Sequence, residues 1–325
     1  MPTRDAVPRS PRPAIAAALV MLAIVLSGCS SGAAAPSSPA ASADPTKDKL
    51  AQVLARGTLV LSTDPEYPPQ SFLVEGATRV QGTKCAENEM TATEVAGYDA
   101  DTGKLVAEKL GVEACFVAPA WDLIKEGGWS DRWDVSWASG ALTAERMGRL
   151  YVTQPYYSTP HNFFVQADSP IKDATELSGK QIGACSGCTH ELYLKGTLDL
   201  PGETLDYPVK DPVVVTFASE PPGLEALARG EIDAFLAGEP VGTEQIKAGL
   251  PIRMLPTPAY HTQKTGYADR SSGLDQVAFL DRVDTILDGL HADGTLKALS
   301  MQYFGVDYAT AAGEFDLDAI GQQIP

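Results

Sequence analysis

No uninterrupted apolar run in this chain is long enough to cross a bilayer as a helix. The longest, Ala14 to Leu26, covers thirteen residues, against about 20 for a spanning helix. Basic clusters are missing as well: 25 Lys and Arg stand against 42 Asp and Glu, a formal net charge of −17. Phosphate backbones are held by concentrated basic patches, so nucleic acid is not an expected partner. Histidine is scarce, four in 325 residues, and Cys185-Ser186-Gly187-Cys188 is the lone CxxC. A structural zinc site needs four ligands, usually from two such pairs, so neither a metal nor a cofactor is expected.

What the N-terminus does hold is a targeting pattern. Arg4, Arg9 and Arg12 precede the short apolar run, as in a secretory signal. The run ends in Leu26-Ser27-Gly28-Cys29, which resembles the lipobox of bacterial lipoproteins. That resemblance implies a signal peptide over 1–28, cleavage before Cys29, and lipid on its sulfur. It places the mature protein on the outer face of the cell membrane. Losing three Arg and one Asp moves the formal charge from −17 to −19. From Ser30 to Asp44 the chain is Ser, Ala, Pro and Gly with almost no charge, too poor in apolar surface to fold alone. The expected tether covers 29–56. The remainder is long enough for one large or two medium cores.

Beyond it, strand and helix signals alternate. Gly57 to Thr63 is a β-rich run closed by Asp64-Pro65. Gly97 to Gly111 reads as a helix with Asp101 or Thr102 as caps, Leu105, Val106 and Leu110 as its apolar face, and Gly111 at the stop; Gly103 counts against it. Gln181 to Ala184 reads as a strand and His190 to Lys195 as a helix. Glu220 to Arg229 is a helix, followed by a strand over Ile232 to Leu236. Val277, Leu280, Val283, Leu287 and Leu290 keep a three-four spacing, one face of a long amphipathic helix. Such alternation predicts an α/β protein with largely parallel sheets. Two strand–helix series, split by the Pro-rich stretch 251–258, predict two lobes, with ligands gathering between them at strand carboxyl ends.

Five segments, "GTLVLSTDPEYPP", "GYDADTGKLVAEKLGV", "RWDVSWASGALTAERMGRLYVTQPYY", "LEALARGEIDAFLAGEPV" and "LDGLHADGTLKALSMQYFG", come in this order. Together they resemble the amino-acid-type solute-binding proteins of ABC importers, extracellular family 3, from about Gly57 to Gly305. The resemblance implies a two-lobed periplasmic-binding-protein-like fold of type II, with two crossover strands and a ligand cleft between lobes. Lobe 1 is expected over 57–160 plus 266–325 and lobe 2 over 161–265, with crossovers near His161–Val165 and Gly266–Ala268. It implies a monomer, not an enzyme, that captures a small carboxylate-bearing ligand and passes it to permease subunits.

The resemblance also carries residues. Arg146 aligns with the arginine that forks onto the ligand carboxylate, a match between a planar guanidinium and a planar anion. Ser139 lines the carboxylate and amine end, and Ala141 keeps a backbone N–H where many members add a hydroxyl. Tyr67 and Trp121 supply aromatic walls across the cleft, and Asp64 lies beside them. Trp129, Trp133 and Trp137 match no ligand position and read as structural. In "GACSGCTHE", Gly187-Cys188-Thr189 replaces a Gly-Thr-Thr-type loop, with Thr189 meeting the carboxylate at a helix start.

The four cysteines past Cys29 allow three disulfide connectivities. A bridge between lobes would lock the hinge, so Cys85–Cys115 and Cys185–Cys188 are the expected pairs. A redox dithiol, a zinc knuckle with His190 and a G-x-C-x-G nucleophile elbow are the rival readings. Each lacks its surrounding motif, since His161, His261 and His291 sit in none. One position breaks the family pattern. The aspartate that pairs with a ligand ammonium aligns with Gly238, leaving Glu239 as the nearest carboxylate, and Gln70 stands where phenylalanine is usual. Two other readings follow: a lyase on a small carboxylate, using Glu239 or Asp64 as acid or base, and a sensor or adaptor lipoprotein.

Overall fold

The computed structural model describes residues 44–321; the expected signal peptide, Cys29 and most of the tether lie outside them. Among the described residues no helix is long and apolar enough to cross a membrane.

The first helix corrects the tether. Lys49–Arg56 is helical: the Asp48 carboxylate accepts the Ala51 N–H at 2.7 Å, and Gly57 closes the helix in the left-handed region at φ 75°. Its side chains converge on Asp134. The fully buried Lys49 ammonium lies 3.3 Å from that carboxylate, Arg56 pairs with it too, and the Val60 N–H donates to it at 2.8 Å. Burying a carboxylate away from water is costly unless hydrogen bonds and opposite charges replace its hydration, and here three partners do so. The folded body therefore starts by Asp48, eight or nine residues before the expected limit.

One eleven-stranded sheet runs through the molecule. At one end Thr58–Ser62 pairs in parallel with Glu113–Val117 and Val135–Ala141; at the other, Gln181–Cys185 pairs in parallel with Val213–Phe217 and Ala234–Gly238. Two ten-residue strands, Tyr157–Gln166 and Tyr260–Asp269, join the ends. They pair antiparallel to each other, with Tyr260 opposite His161 and Lys264 opposite Tyr157. Val135–Ala141 pairs with the end of the second, and Ala234–Gly238 with the end of the first. The chain thus passes from the first half to the second at 157–166 and returns at 260–269. The Pro-rich stretch 251–258 is not the divide: it holds the short strand Ile252–Met254, which pairs with the first crossing strand.

Each half has its own apolar core. Leu59, Leu61, Val106, Phe116, Trp137 and the face of helix Val277–Ala292 build the first. Phe163, Ile182, Leu194, Leu236 and Phe235 belong to clusters of the second. Trp129 and Trp133 stack at 4.9 Å in a satellite of the first, as expected for structural tryptophans. Helix Tyr98–Leu110 starts earlier than its expected caps because of Gly97. There φ is 120°, and a Cβ would come within 2.4 Å of the Gln70 carbonyl oxygen, so only glycine fits. Gly103, unfavourable in a helix, lets the helix lie flat on Leu61 and Trp137. Cys85 bridges to Cys115 on strand Glu113–Val117, and Cys185 to Cys188, both with Cα atoms 5.5 Å apart.

Candidate functional site

Between the halves lies a cleft of about 580 Å³, counting space open to solvent. The first half supplies Asp64, Tyr67, Trp121, Ser139, Ala141 and Arg146; the second supplies Thr189, the Cys185–Cys188 bridge, His190 and Glu220; Lys264 comes from a crossing strand.

Arg146 sits in a one-turn helix, Ala144–Met147, started by Thr143, whose hydroxyl accepts the Arg146 N–H at 3.2 Å. The residue is 95% buried. Nη1 donates to the Ala141 carbonyl and the Tyr267 hydroxyl, both at 3.1 Å, and Nη2 lies 3.5 Å from the Gly187 carbonyl across the cleft. Trp121 stacks on it, with the guanidinium carbon 5.1 Å from the ring centroid. These contacts fix the plane of the fork and leave N–H groups for an anion.

Ser139 has φ 53°, a left-handed backbone rare outside glycine that costs about 1–3 kcal/mol and collects at functional sites. The strain aims its hydroxyl at the Asp99 carboxylate, 2.6 Å away, while Tyr157 donates to it at 2.6 Å. Tyr156 donates to Asp99 at 3.0 Å. Burial pushes the Asp99 carboxyl up to about 7, against the hydrogen bonds that favour its charge.

The opposite wall is built around two imidazoles. His161 Nδ1 and His190 Nε2 share a 2.7 Å hydrogen bond, and His161 Nε2 meets the Thr262 hydroxyl at 2.7 Å. Burial, with Lys264 nearby, lowers both, His190 to about 3. Thr189 opens helix Thr189–Leu194, and its Oγ1 accepts from the Tyr260 hydroxyl at 3.0 Å. Glu191 turns back on the preceding loop and accepts the Gly187 N–H at 2.6 Å. Cys185, Cys188 and His190 approach within 4.8 Å of one another. Both sulfurs are joined in the bridge, which leaves no thiolate to act as ligand or nucleophile.

Seven of the eight expected ligand residues therefore line one cleft: Asp64, Tyr67, Trp121, Ser139, Ala141, Arg146 and Thr189. Glu239 does not. Strand Ala234–Gly238 ends at Gly238, Glu239 is the first residue of helix Glu239–Lys247, and its carboxylate accepts from the Tyr308 hydroxyl at 2.8 Å. Beside Asp64, the second half brings its own carboxylate into the cleft: Glu220, first residue of helix Glu220–Ala228 and 97% buried. It accepts from the Tyr67 hydroxyl at 2.7 Å and the Gly238 N–H at 3.0 Å. A Cβ on Gly238 would lie 3.7 Å from Glu220 Oε2. The missing side chain leaves room for a carboxylate from a neighbouring helix. Burial raises the Glu220 carboxyl and lowers the Lys264 ammonium.

Sequence reasoning missed Glu220, His190 and Lys264. Pro240 carried one usable signal, since proline in a first helical turn marks Glu239 as a helix start.

The family model for bacterial extracellular solute-binding proteins, family 3, matches residues 59–306. The L-cystine-binding protein TcyJ of Escherichia coli K12 is 27% identical over 260 residues, 79% of this chain and 86% of that one. ABC transporter arginine-binding protein 1 of the same strain is 26% identical over 215 residues, 65% of this chain and 82% of its own. Among solved structures, a mutant of ArgBP from T. maritima superposes with TM-score 0.62 at 20% identity, covering 79% of this chain and all of that one. An ancestral amino acid-binding protein, a precursor of cyclohexadienyl dehydratase, gives TM-score 0.61 at 22% identity, covering 79% and 99%.

Proposed function

This chain belongs to the bacterial extracellular solute-binding proteins of family 3, and on that premise we propose that it captures an amino acid or a close analogue and delivers it to an ABC importer. The observation that carries this reading is the convergence of Arg146 and Thr189 from opposite halves on one cleft, with Glu220 facing them. The guanidinium and the threonine hydroxyl take the ligand carboxylate; Glu220, in the place opened by Gly238, takes its ammonium. Tyr67 and Trp121 cover the aliphatic part. In this reading the lobes are 57–160 plus 266–325 and 161–265, with Lys49–Arg56 added to the first. They close about the two crossing strands.

Lipid on Cys29 and a monomeric state belong to the same proposal. Fatty-acid labelling that is lost in Cys29→Ala tests the anchor. Mass spectrometry of the small molecule that co-purifies with the protein, followed by calorimetric titration, tests the ligand. Small-angle scattering should show compaction as that ligand binds. A co-purified neutral sugar, or a radius unchanged at saturation, would sink the amino-acid clamp. The lyase reading has lost one of its two acid–base candidates, because Glu239 lies outside the cleft; turnover of the bound ligand would revive it. Loss of uptake on deleting the gene separates delivery from sensing.

A further inference from the structure

Lys264 stands out among the cleft residues because no group touches its ammonium. It is 93% buried and lines the cleft. Among the described residues its ammonium has neither a hydrogen-bond acceptor nor a carboxylate within ion-pair distance; its electrostatic neighbours are Glu220, Arg146 and Asp99. Each carboxylate is already served by others. Asp99 accepts from Ser139 and Tyr156, and Glu220 from Tyr67 and Gly238. A lysine ammonium carries three donors and no acceptor, and here only the solvent of the cleft is left to take them, the place a ligand anion would fill.

Its position adds a second argument. Lys264 pairs directly across the sheet with Ala141, whose carbonyl accepts Arg146 Nη1. Two cations therefore approach one ligand space, Lys264 from a crossing strand and Arg146 from the one-turn helix that follows the neighbouring strand, and repel each other. Arg146 is turned toward the Gly187–Thr189 loop, whereas Lys264 rises from the floor between Tyr157 and Ala141. A single carboxylate on Arg146 and Thr189 would leave the lysine unmatched.

We infer that Lys264 is a second anion-binding group of this cleft, and that the ligand carries two carboxylates, as an acidic amino acid does. This deepens the amino-acid reading and rests on it. One carboxylate lies on Arg146 and Thr189, the ammonium on Glu220, and the side-chain carboxylate on Lys264. The lysine is a specificity-determining residue: it discriminates an acid from its amide of the same shape.

Calorimetric titration with L-glutamate, L-glutamine, L-aspartate and L-asparagine tests this without any variant. The wild type should prefer one acid over its amide by about 30-fold or more, the low end of what an unmatched buried charge costs. Lys264→Met keeps the length of the side chain and removes the charge. It should erase most of that preference, weakening the acid far more than the amide, since only the acid puts a carboxylate on the lysine. Equal binding of acid and amide by the wild type overturns the inference and leaves the amino-acid reading standing. So does a preference that survives in Lys264→Met. If none of the four binds but another amino acid does, the inference alone fails; if no amino acid binds, both fail.

Discussion

The two walls of the cleft bury polar groups of opposite character. The first half hides a carboxyl, Asp99, among hydroxyls of Ser139, Tyr156 and Tyr157. The second hides two imidazoles, His161 and His190, bonded to each other and to Thr262. Burial favours the neutral form in both networks, raising the acid and lowering the bases. Asp99 and His161 lie behind the walls, whereas Arg146, Glu220 and Lys264 line the cleft itself. These three are buried too, and burial raises the Glu220 carboxyl as it does that of Asp99, so what divides the two sets is position and partners rather than exposure.

The strongest way to break that division is Arg146→Ala. Removing one partner of a buried charge pair costs about 2–5 kcal/mol, so affinity should fall about 30- to 5000-fold. Arg146→Lys restores charge without the fork and should recover only part. Calorimetry with the identified ligand reads both. An unchanged affinity would mean that the ligand is a cation or sugar held by Tyr67 and Trp121.

Next comes Glu220→Gln, which keeps shape and the bond from Tyr67 but removes the charge offered to an ammonium. Hydrogen bonds to charged groups are worth about 1.5–3 kcal/mol, so binding should weaken about 10- to 150-fold. The matching change at Glu239 should do nothing to affinity. If Glu239→Gln is the damaging variant, the assignment of Glu220 is wrong.

Thr189→Val removes a hydroxyl from the second wall and leaves the backbone in place. A loss of about 1–3 kcal/mol is expected, the cost of an unmade buried bond. Part of it arises in the free protein, where the Tyr260 hydroxyl loses its acceptor.

The smallest effect sharpens the comparison by pH. The raised Asp99 carboxyl contributes stability that is complete below about pH 4 and disappears as pH rises through about 7. The lowered His190 contributes stability that is complete above about pH 6.5 and disappears as pH falls toward about 3. The halves thus pull the stability profile in opposite directions. Melting temperatures from pH 4 to 9 should decline less on the alkaline side in Asp99→Asn and less on the acid side in His190→Gln. About 1 kcal/mol corresponds to ~2–4 °C in a chain of this size. Parallel profiles for the three proteins would show that neither group is buried as described.

Much of the frame was legible in the sequence because it depends on local pattern. The three-four spacing after Val277 marks a helix face wherever that helix packs. The aligned segments placed Arg146, Tyr67 and Thr189 because each stands at a fixed offset from a strand end or helix start. What escaped depends on pairing between distant strands. Lys264 is one of five consecutive polar residues, His261 to Thr265, and only its register against Ala141 and Tyr157 puts it on the cleft floor. Glu220 reaches the position opened by Gly238 from eighteen residues away, through a helix whose docking no local spacing encodes. Glu239 was misplaced by one structural step, the end of a strand taken for its continuation.

The Tyr67–Glu220 hydrogen bond joins the first half to the second across the mouth of the cleft. If the lobes open and close as proposed, this bond forms only on closing and takes no part in the first encounter with a solute. In that cycle its weight falls on the escape step, because each departure would have to break it. Residence time is then set partly by a tyrosine hydroxyl that the solute itself need not touch.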